Sequence, residues 1–276
     1  MSWRRIGLAI EAQRPMAELR AAFAHSEAIA LDLDECIFPG YTQVELGRRV
    51  AWRILRRPVR ASDRRLLARL ALGGVYFGIK ETKRLVGVGT PMRRLVRRYE
   101  RVLRGVPESY LLEAAAEIPA ASYPYAAETV AELATQAPTG LVSLGLDIVA
   151  RAYTQAFRRA EGPSLSFIES NVVCFRPGCR GRVFDAYDRE AFLENGADKR
   201  RVLERRMAEL GAAVVTVVGH SEDDAAMAVL ARETGGLAIG FNPSWRLRGV
   251  FDIVVRGRDW ESMYALAAIL LGPSGR

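Results

Sequence analysis

The sequence predicts an α/β fold: a mainly parallel sheet core, an inserted all-helical cap and a small β-hairpin. Three observations carry this. Short apolar runs (Ala28–Leu33, Thr139–Ser143, Ala212–Val218, Leu237–Phe241, Phe251–Val255) read as buried strands. Helical patterns separate them, and strands alternating with helices imply parallel pairing. Residues 41–120 break the alternation, with apolar residues at three- and four-residue spacing and arginines between them.

In chain order, Arg14–His25 places Met16, Leu19 and Phe23 at helical spacing, a helix packed on the sheet. The first strand, Ala28–Leu33, runs into Asp32 and Asp34 and turns at Pro39-Gly40. From Tyr41 to Ala120 the chain is helical, punctuated at Pro58, Gly73-Gly74, Gly87–Pro91 and Pro107, giving four or five cap helices. Tyr123–Gln136 is a helix returning to the core, and Thr139–Ser143 is the second core strand. A helix is expected over Asp147–Ala160, and a β-hairpin over Phe167–Phe184 around Pro177-Gly178. Asp198–Leu210 is a helix with Asp198 as its N-cap, and Trp260–Leu271 closes the chain.

Composition narrows the class. The 276 residues are half hydrophobic, enough for one large domain or a core with an insert. No apolar run reaches the ~20 residues needed to span a bilayer; Leu66–Ile79, the longest, is interrupted by Arg69 and two glycines. The first residues lack a sustained apolar core and a small-residue cleavage site, so no secretory signal is read and a cytoplasmic location is expected. Cys36, Cys174 and Cys179 are few and odd in number, as in a reducing compartment, with at most an incidental Cys174–Cys179 pairing. With only His25 and His220, a four-ligand zinc site is not expected.

The net charge is +8, unevenly placed. Tyr41–Arg104 holds 18 Lys and Arg against four Asp and Glu, so the rest of the chain is net negative. That basic segment is open to a phosphorylated substrate, anionic lipid or nucleic acid. It is equally open to being a set of solvated helix faces, or the mark of a heat-adapted or GC-biased source.

Asp32 and Asp34 stand at the carboxyl end of a buried strand, where open α/β sheets place ligands. Side chains two apart share a strand face, and two carboxylates that close need a cation or a shared proton. Oxygen donors suit Mg²⁺. Gly219-His220-Ser221-Glu222-Asp223 resembles the start of a G-x-S-x-G elbow, but its fifth residue is Asp and the only other histidine lies far upstream.

Read in order, Asp32-Leu33-Asp34, Ser143 at the end of TGLVS, Lys199 in ADKRRVLERR and VVGHSEDDAAM (Val217–Met227) resemble the haloacid dehalogenase superfamily, in particular its phosphoserine-phosphatase-like branch. The resemblance extends from about Ala28 to the C-terminus, including Ala238–Val255. It implies a Rossmann-like core from residues 1–40 and 121–276 with the cap at 41–120. It implies a metal-dependent phosphomonoester hydrolase in which Asp32 attacks phosphorus and Asp34 serves as general acid and base. Ser143, Leu144, Gly145 and Lys199 would hold phosphate, and a Mg²⁺ ion, or Mn²⁺ or another divalent metal, would offset charge.

The pattern departs at three places. His220 stands where relatives usually carry a metal-binding aspartate, so Asp223 or Asp224 is expected to join Asp32 and Asp34 as ligands. His220 then contacts phosphate or substrate, or binds a softer ion such as Mn²⁺. Glu35-Cys36 replaces a small residue and threonine. Tyr41 stands where phosphoserine phosphatases carry a glutamate that reads the amine. Serine phosphate is thus not the expected substrate; the arginine-rich cap suggests a small phosphorylated compound more anionic than a single phosphate, such as a nucleotide, a bisphosphate or a phospholipid head group, touched by Tyr41, Arg48 and Arg49. The open alternatives are a catalytically degenerate chain whose basic cap binds nucleic acid or an anionic membrane, or a phosphotransferase.

Overall fold

The computed structural model describes residues 4–5, 9–56, 61–85, 92–159, 162–178 and 181–272. Its elements in order are β1 (Arg4–Arg5), β2 (Ile10–Ala12), α1 (Met16–Ala24), β3 (Ala28–Leu31), α2 (Thr42–Leu55), α3 (Ala61–Leu85), α4 (Met92–Leu103), α5 (Glu108–Ala116), α6 (Ala126–Gln136), β4 (Thr139–Leu146) and α7 (Asp147–Ala156). There follow β5 (Arg158–Arg159), β6 (Gly162–Pro163), β7 (Phe167–Asn171), β8 (Val173–Gly178), β9 (Gly181–Tyr187), α8 (Gly196–Leu210), β10 (Val215–Gly219), α9 (Ala225–Glu233), β11 (Ala238–Phe241), β12 (Ile253–Val255) and α10 (Glu261–Leu271).

The main sheet runs β1-β2-β12-β11-β10-β3-β4-β7. The six strands from β12 to β7 pair in parallel, and the two N-terminal strands add an antiparallel edge. The mainly parallel Rossmann-like sheet read from the sequence is therefore present. Strand alternation splits the core into two layers. Ile29 and Leu31 of β3 face a layer with Leu19, Phe23, Val130, Val149, Leu266 and Trp260, under α1, α6, α7 and α10. Ala28 and Ala30 face the other, with Leu203, Met207, Val217, Met227 and Leu230 under α8 and α9. Covered on both sides, β3, β4, β10, β11 and β12 are buried at every residue, which is why their sequences read as continuous apolar runs.

Four helices, α2 to α5, lie between β3 and β4 in the chain. In α2 the buried face is Thr42, Leu46, Val50 and Ile54, one residue per turn, and the arginines lie off that line. Of the expected breaks, Pro58 and Gly87–Pro91 fall outside the described residues; Gly73-Gly74 lie within α3 and interrupt nothing.

Several expected boundaries are corrected. Phe167–Asn171 is not a hairpin arm. It adds to the main sheet parallel to β4, pairing chiefly along Gly140–Val142. The hairpin is β8–β9, and it leans on the segment between α4 and α5: Gly105 N–H donates to Phe184 O at 2.8 Å, and Phe184 N–H to Val106 O at 2.8 Å. The N-cap of α8 is Asn195, whose Oδ1 accepts from Ala197 and Asp198 N–H at 2.8 and 3.2 Å. Asp198 instead accepts from Glu194 N–H at 2.9 Å. Cys36 is buried, while Cys179, and with it any Cys174–Cys179 pairing, lies outside the described residues. No helix among the described residues is long and apolar enough to cross a membrane.

Candidate active site

Parallel pairing sets the ends of β3 and β10 side by side, with Leu31 opposite Val218 on one side and Leu141, inside β4, on the other. Asp32 continues β3 by one residue, its N–H donating to Val218 O at 2.9 Å. Its carboxylate is only 3% exposed. Burying a carboxylate is costly unless it is paired, and two cationic side chains meet it. Lys199 Nζ donates to Asp32 Oδ1 at 2.6 Å and His220 Nδ1 lies 3.1 Å from Asp32 Oδ2.

Lys199 reaches the strand ends from the first turn of α8 and donates a second hydrogen bond, also 2.6 Å, to Asp224 Oδ1. Burial opposes its charge, but Asp224 and Asp32 outweigh that and hold its pKa well above the ordinary lysine value. Two glycines permit this convergence. A Cβ on Gly196 would sit 2.6 Å from Asp223 O, so the start of α8 closes onto the Glu222–Asp224 turn only without one. A Cβ on Gly219 would sit 2.5 Å from the Asp224 Cβ. Asp224 is fully buried and saturated: besides Lys199, its Oδ2 accepts from His220 N–H, Ser221 N–H and Ser221 Oγ, each at 2.9 Å. Burial pushes its pKa up, yet Lys199 and His220 leave it far below the carboxylate range.

His220 is held between acids. Its Nε2 lies 3.3 Å from Glu35 Oε2, and its Nδ1 lies 3.4 Å from Asp224 Oδ2 in addition to its approach to Asp32. Burial would lower its pKa, but hydrogen bonds with Asp224, Asp32 and Glu35 raise it well above the ordinary value.

Asp34 is only partly buried and has a different environment. Thr42 N–H donates to its Oδ1 at 2.7 Å, while burial, the larger influence, pushes its pKa up to about 6. A carboxyl poised there gives up and takes back a proton near neutrality.

Ser143 lies inside β4, three residues before its end rather than at the end as expected; it is 1% exposed and its Oγ accepts from Gly145 N–H at 3.0 Å. Leu144 O accepts from Asn171 Nδ2 at 2.9 Å. A Cβ on Gly145 would lie 3.1 Å from Ser143 Oγ and 3.5 Å from Thr42 Oγ1, so the start of α2 abuts this strand end.

Among the described residues, Asp32, His220 and Asp224 form a group whose potential ligand atoms lie within 4.8 Å of one another. Asp34 and Asp223, expected as ligands, are not members. Because both oxygens of Asp224 already accept hydrogen bonds, Asp32 Oδ2 and His220 Nδ1 are the donor atoms best placed to face an ion. An imidazole and a carboxylate form a set that fits a divalent cation.

The expected substrate contacts separate. Tyr41 is the half-buried N-cap residue of α2. Arg48 pairs with Glu45, and Arg49 with Glu45 and Glu117, so both are engaged within the cap rather than at the Asp32 cluster. Glu35 was missed as a site residue; its substitution for a small residue was visible in the sequence, but its partner was not.

No protein-family model and no curated protein sequence matches the chain. Solved structures do. Phosphoserine phosphatase in apo form aligns at 18% identity over 87% of this chain and 98% of that one, with a TM-score of 0.59. A phospho-aspartyl intermediate analogue of phosphoserine phosphatase aligns equally well. Cytosolic 5′-nucleotidase IIIB bound to cytidine aligns at 16% identity over 96% and 94% of the two chains, with a TM-score of 0.67. The shared feature is the fold.

Proposed function

We propose that this protein hydrolyses phosphate monoesters through an aspartyl-phosphate on Asp32. The observation that carries the reading is the placement of Asp32. It is a buried carboxylate at the carboxyl end of a central parallel strand, held at 2.6 Å by Lys199, with a second carboxyl of raised pKa two residues on. Asp32 Oδ attacks phosphorus, and the alcohol leaves with a proton from Asp34. Asp34 then takes a proton from the water that cleaves the acyl phosphate. Lys199 stays cationic throughout and offsets the charge of the phosphoryl oxygens. Ser143 and the N–H groups around Gly145 line the neighbouring strand end and bind those oxygens.

A divalent cation held by Asp32 Oδ2 and His220 Nδ1 beside Asp224 would neutralise charge accumulating on the transferring phosphoryl group. The substrate class is a small phosphorylated compound. Within the cap, Arg49 and Arg53 already bind Glu113 and Glu117, so these two arginines do not favour a polyanionic partner.

Hydrolysis of p-nitrophenyl phosphate by the wild type, with loss of turnover by at least 10³-fold in Asp32→Asn, is the expected result; the size follows from removal of a nucleophile, worth on the order of 4 kcal/mol or more. Persistent turnover in Asp32→Asn would refute the mechanism.

A further inference from the structure

Glu35 and His220 are the two unusual residues of this site, and they meet. His220 presents Nδ1 to Asp32 Oδ2 at 3.1 Å and Nε2 to Glu35 Oε2 at 3.3 Å. We infer that Glu35 is a positioning residue that orients His220 as a nitrogen ligand, so that the cation at Asp32 is a transition divalent ion of the Mn²⁺ type rather than Mg²⁺. The inference rests on the proposed cation beside Asp32 and adds to it the ion's identity and the residue that selects it.

Three observations carry it. First, an imidazole that binds a metal through one ring nitrogen commonly donates its other N–H to a carboxylate, which fixes its tautomer and its plane. Glu35 occupies that second position. Second, two neighbouring ligands in an octahedral shell with ~2.1 Å bonds lie about 3.0 Å apart. The Asp32 Oδ2 to His220 Nδ1 separation of 3.1 Å matches that spacing, and the ion takes the place of the Nδ1 proton, which is released on binding. Third, Glu35 adopts a left-handed backbone, φ 56°, which costs a side-chain-bearing residue of order 1 kcal/mol or more.

The surrounding turn holds it there. Glu35 N–H donates to Gly40 O at 2.9 Å, and Leu33 O accepts from the N–H groups of Cys36, Ile37 and Phe38 at 3.3, 3.0 and 2.9 Å. His220 is fixed from the other side, its own N–H bound to Asp224 Oδ2 at 2.9 Å. The ring is thus clamped at its backbone and at its outer nitrogen, with its inner nitrogen beside the nucleophile. Such a nitrogen donor favours first-row transition ions over Mg²⁺, which prefers an all-oxygen shell.

The test is direct Mn²⁺ binding to the full chain, stripped of metal, followed by electron paramagnetic resonance of free Mn²⁺. The expected result is one bound Mn²⁺ that a tenfold excess of Mg²⁺ does not displace. Glu35→Ala weakens Mn²⁺ binding by 10–100-fold, the usual effect of removing such a partner. Glu35→Gln, which still accepts a hydrogen bond, recovers part of it, and His220→Asp removes the preference for Mn²⁺ over Mg²⁺. Circular dichroism of each variant confirms that it is folded.

Wild-type protein that binds no Mn²⁺, or Glu35→Ala that binds it as tightly as the wild type, overturns the inference. So does full phosphatase turnover in excess chelator, which would mean that His220 itself supplies the positive charge; that result leaves the Asp32 mechanism standing. Mn²⁺ binding as expected in a protein without phosphatase activity would instead sink the hydrolase reading and leave the ligand assignment intact.

Discussion

Replacing Asp34 by Asn should stabilise the protein while abolishing its turnover, and the gain should depend on pH. In the native state Asp34 holds its proton to about pH 6, whereas its ordinary value is 3.8. Between those values the unfolded chain has lost the proton and the native state has kept it. The native state binds more protons there, so wild-type stability falls as pH rises through this window and is level above it. Each pH unit is worth about 1.4 kcal/mol, so the whole window is worth roughly 3 kcal/mol.

Asp34 is partly exposed, and solvent screening reduces this to about 1–2 kcal/mol. Asparagine keeps the oxygen that accepts from Thr42 N–H and does not ionise. Relative to the wild type, Asp34→Asn should be equally stable at pH 3.5 and more stable by about 1–2 kcal/mol at pH 8, which corresponds to roughly 2–4 °C in Tm for a chain of this size. Urea denaturation at pH 3.5, 5 and 8 reads the difference. A stability change of the same size at all three pH values, or a less stable variant at pH 8, would refute the reasoning.

The remaining predictions concern the buried ion group and its glycine. Lys199→Met leaves Asp32 and Asp224 without their shared cation and should cost about 3–5 kcal/mol in denaturant midpoint experiments. Asp224→Asn in the same chain should return part of that loss, since it removes one of the unpaired charges; a strictly additive double variant would contradict the pairing. Gly219→Ala puts a methyl group 2.5 Å from the Asp224 Cβ. It should cost about 1–3 kcal/mol by overpacking and lower phosphatase kcat by displacing His220; an unchanged melting temperature would count against the close approach.

The sheet was legible because its strands are covered on both faces and have almost no polar residues to confuse the period. The meeting of Asp32 and Lys199 was legible because their order along the chain resembles a known pattern, although they lie 167 residues apart. Phe167–Asn171 was misread because its alternation describes one strand and does not say which neighbour it pairs with. The α8 cap was misplaced by three residues because Asn195 and Asp198 are both good capping types, and only the backbone decides which one stands at the entrance. The link between Glu35 and His220 spans 185 residues and has no periodicity, so each looked like an isolated departure until the turn after β3 and the turn after β10 were seen to share a corner.

The bond between the β8–β9 arm and the segment joining α4 to α5 constrains how this molecule can breathe. Two main-chain links tie Phe184 to Gly105 and Val106, and Arg189 reaches Glu100 at 2.7 Å. The inserted helices therefore have a third tether besides the two peptide connections by which they leave and rejoin the sheet. Any hinge that opens the cleft beside Asp32 must carry this arm along as part of the moving body, or first break those links.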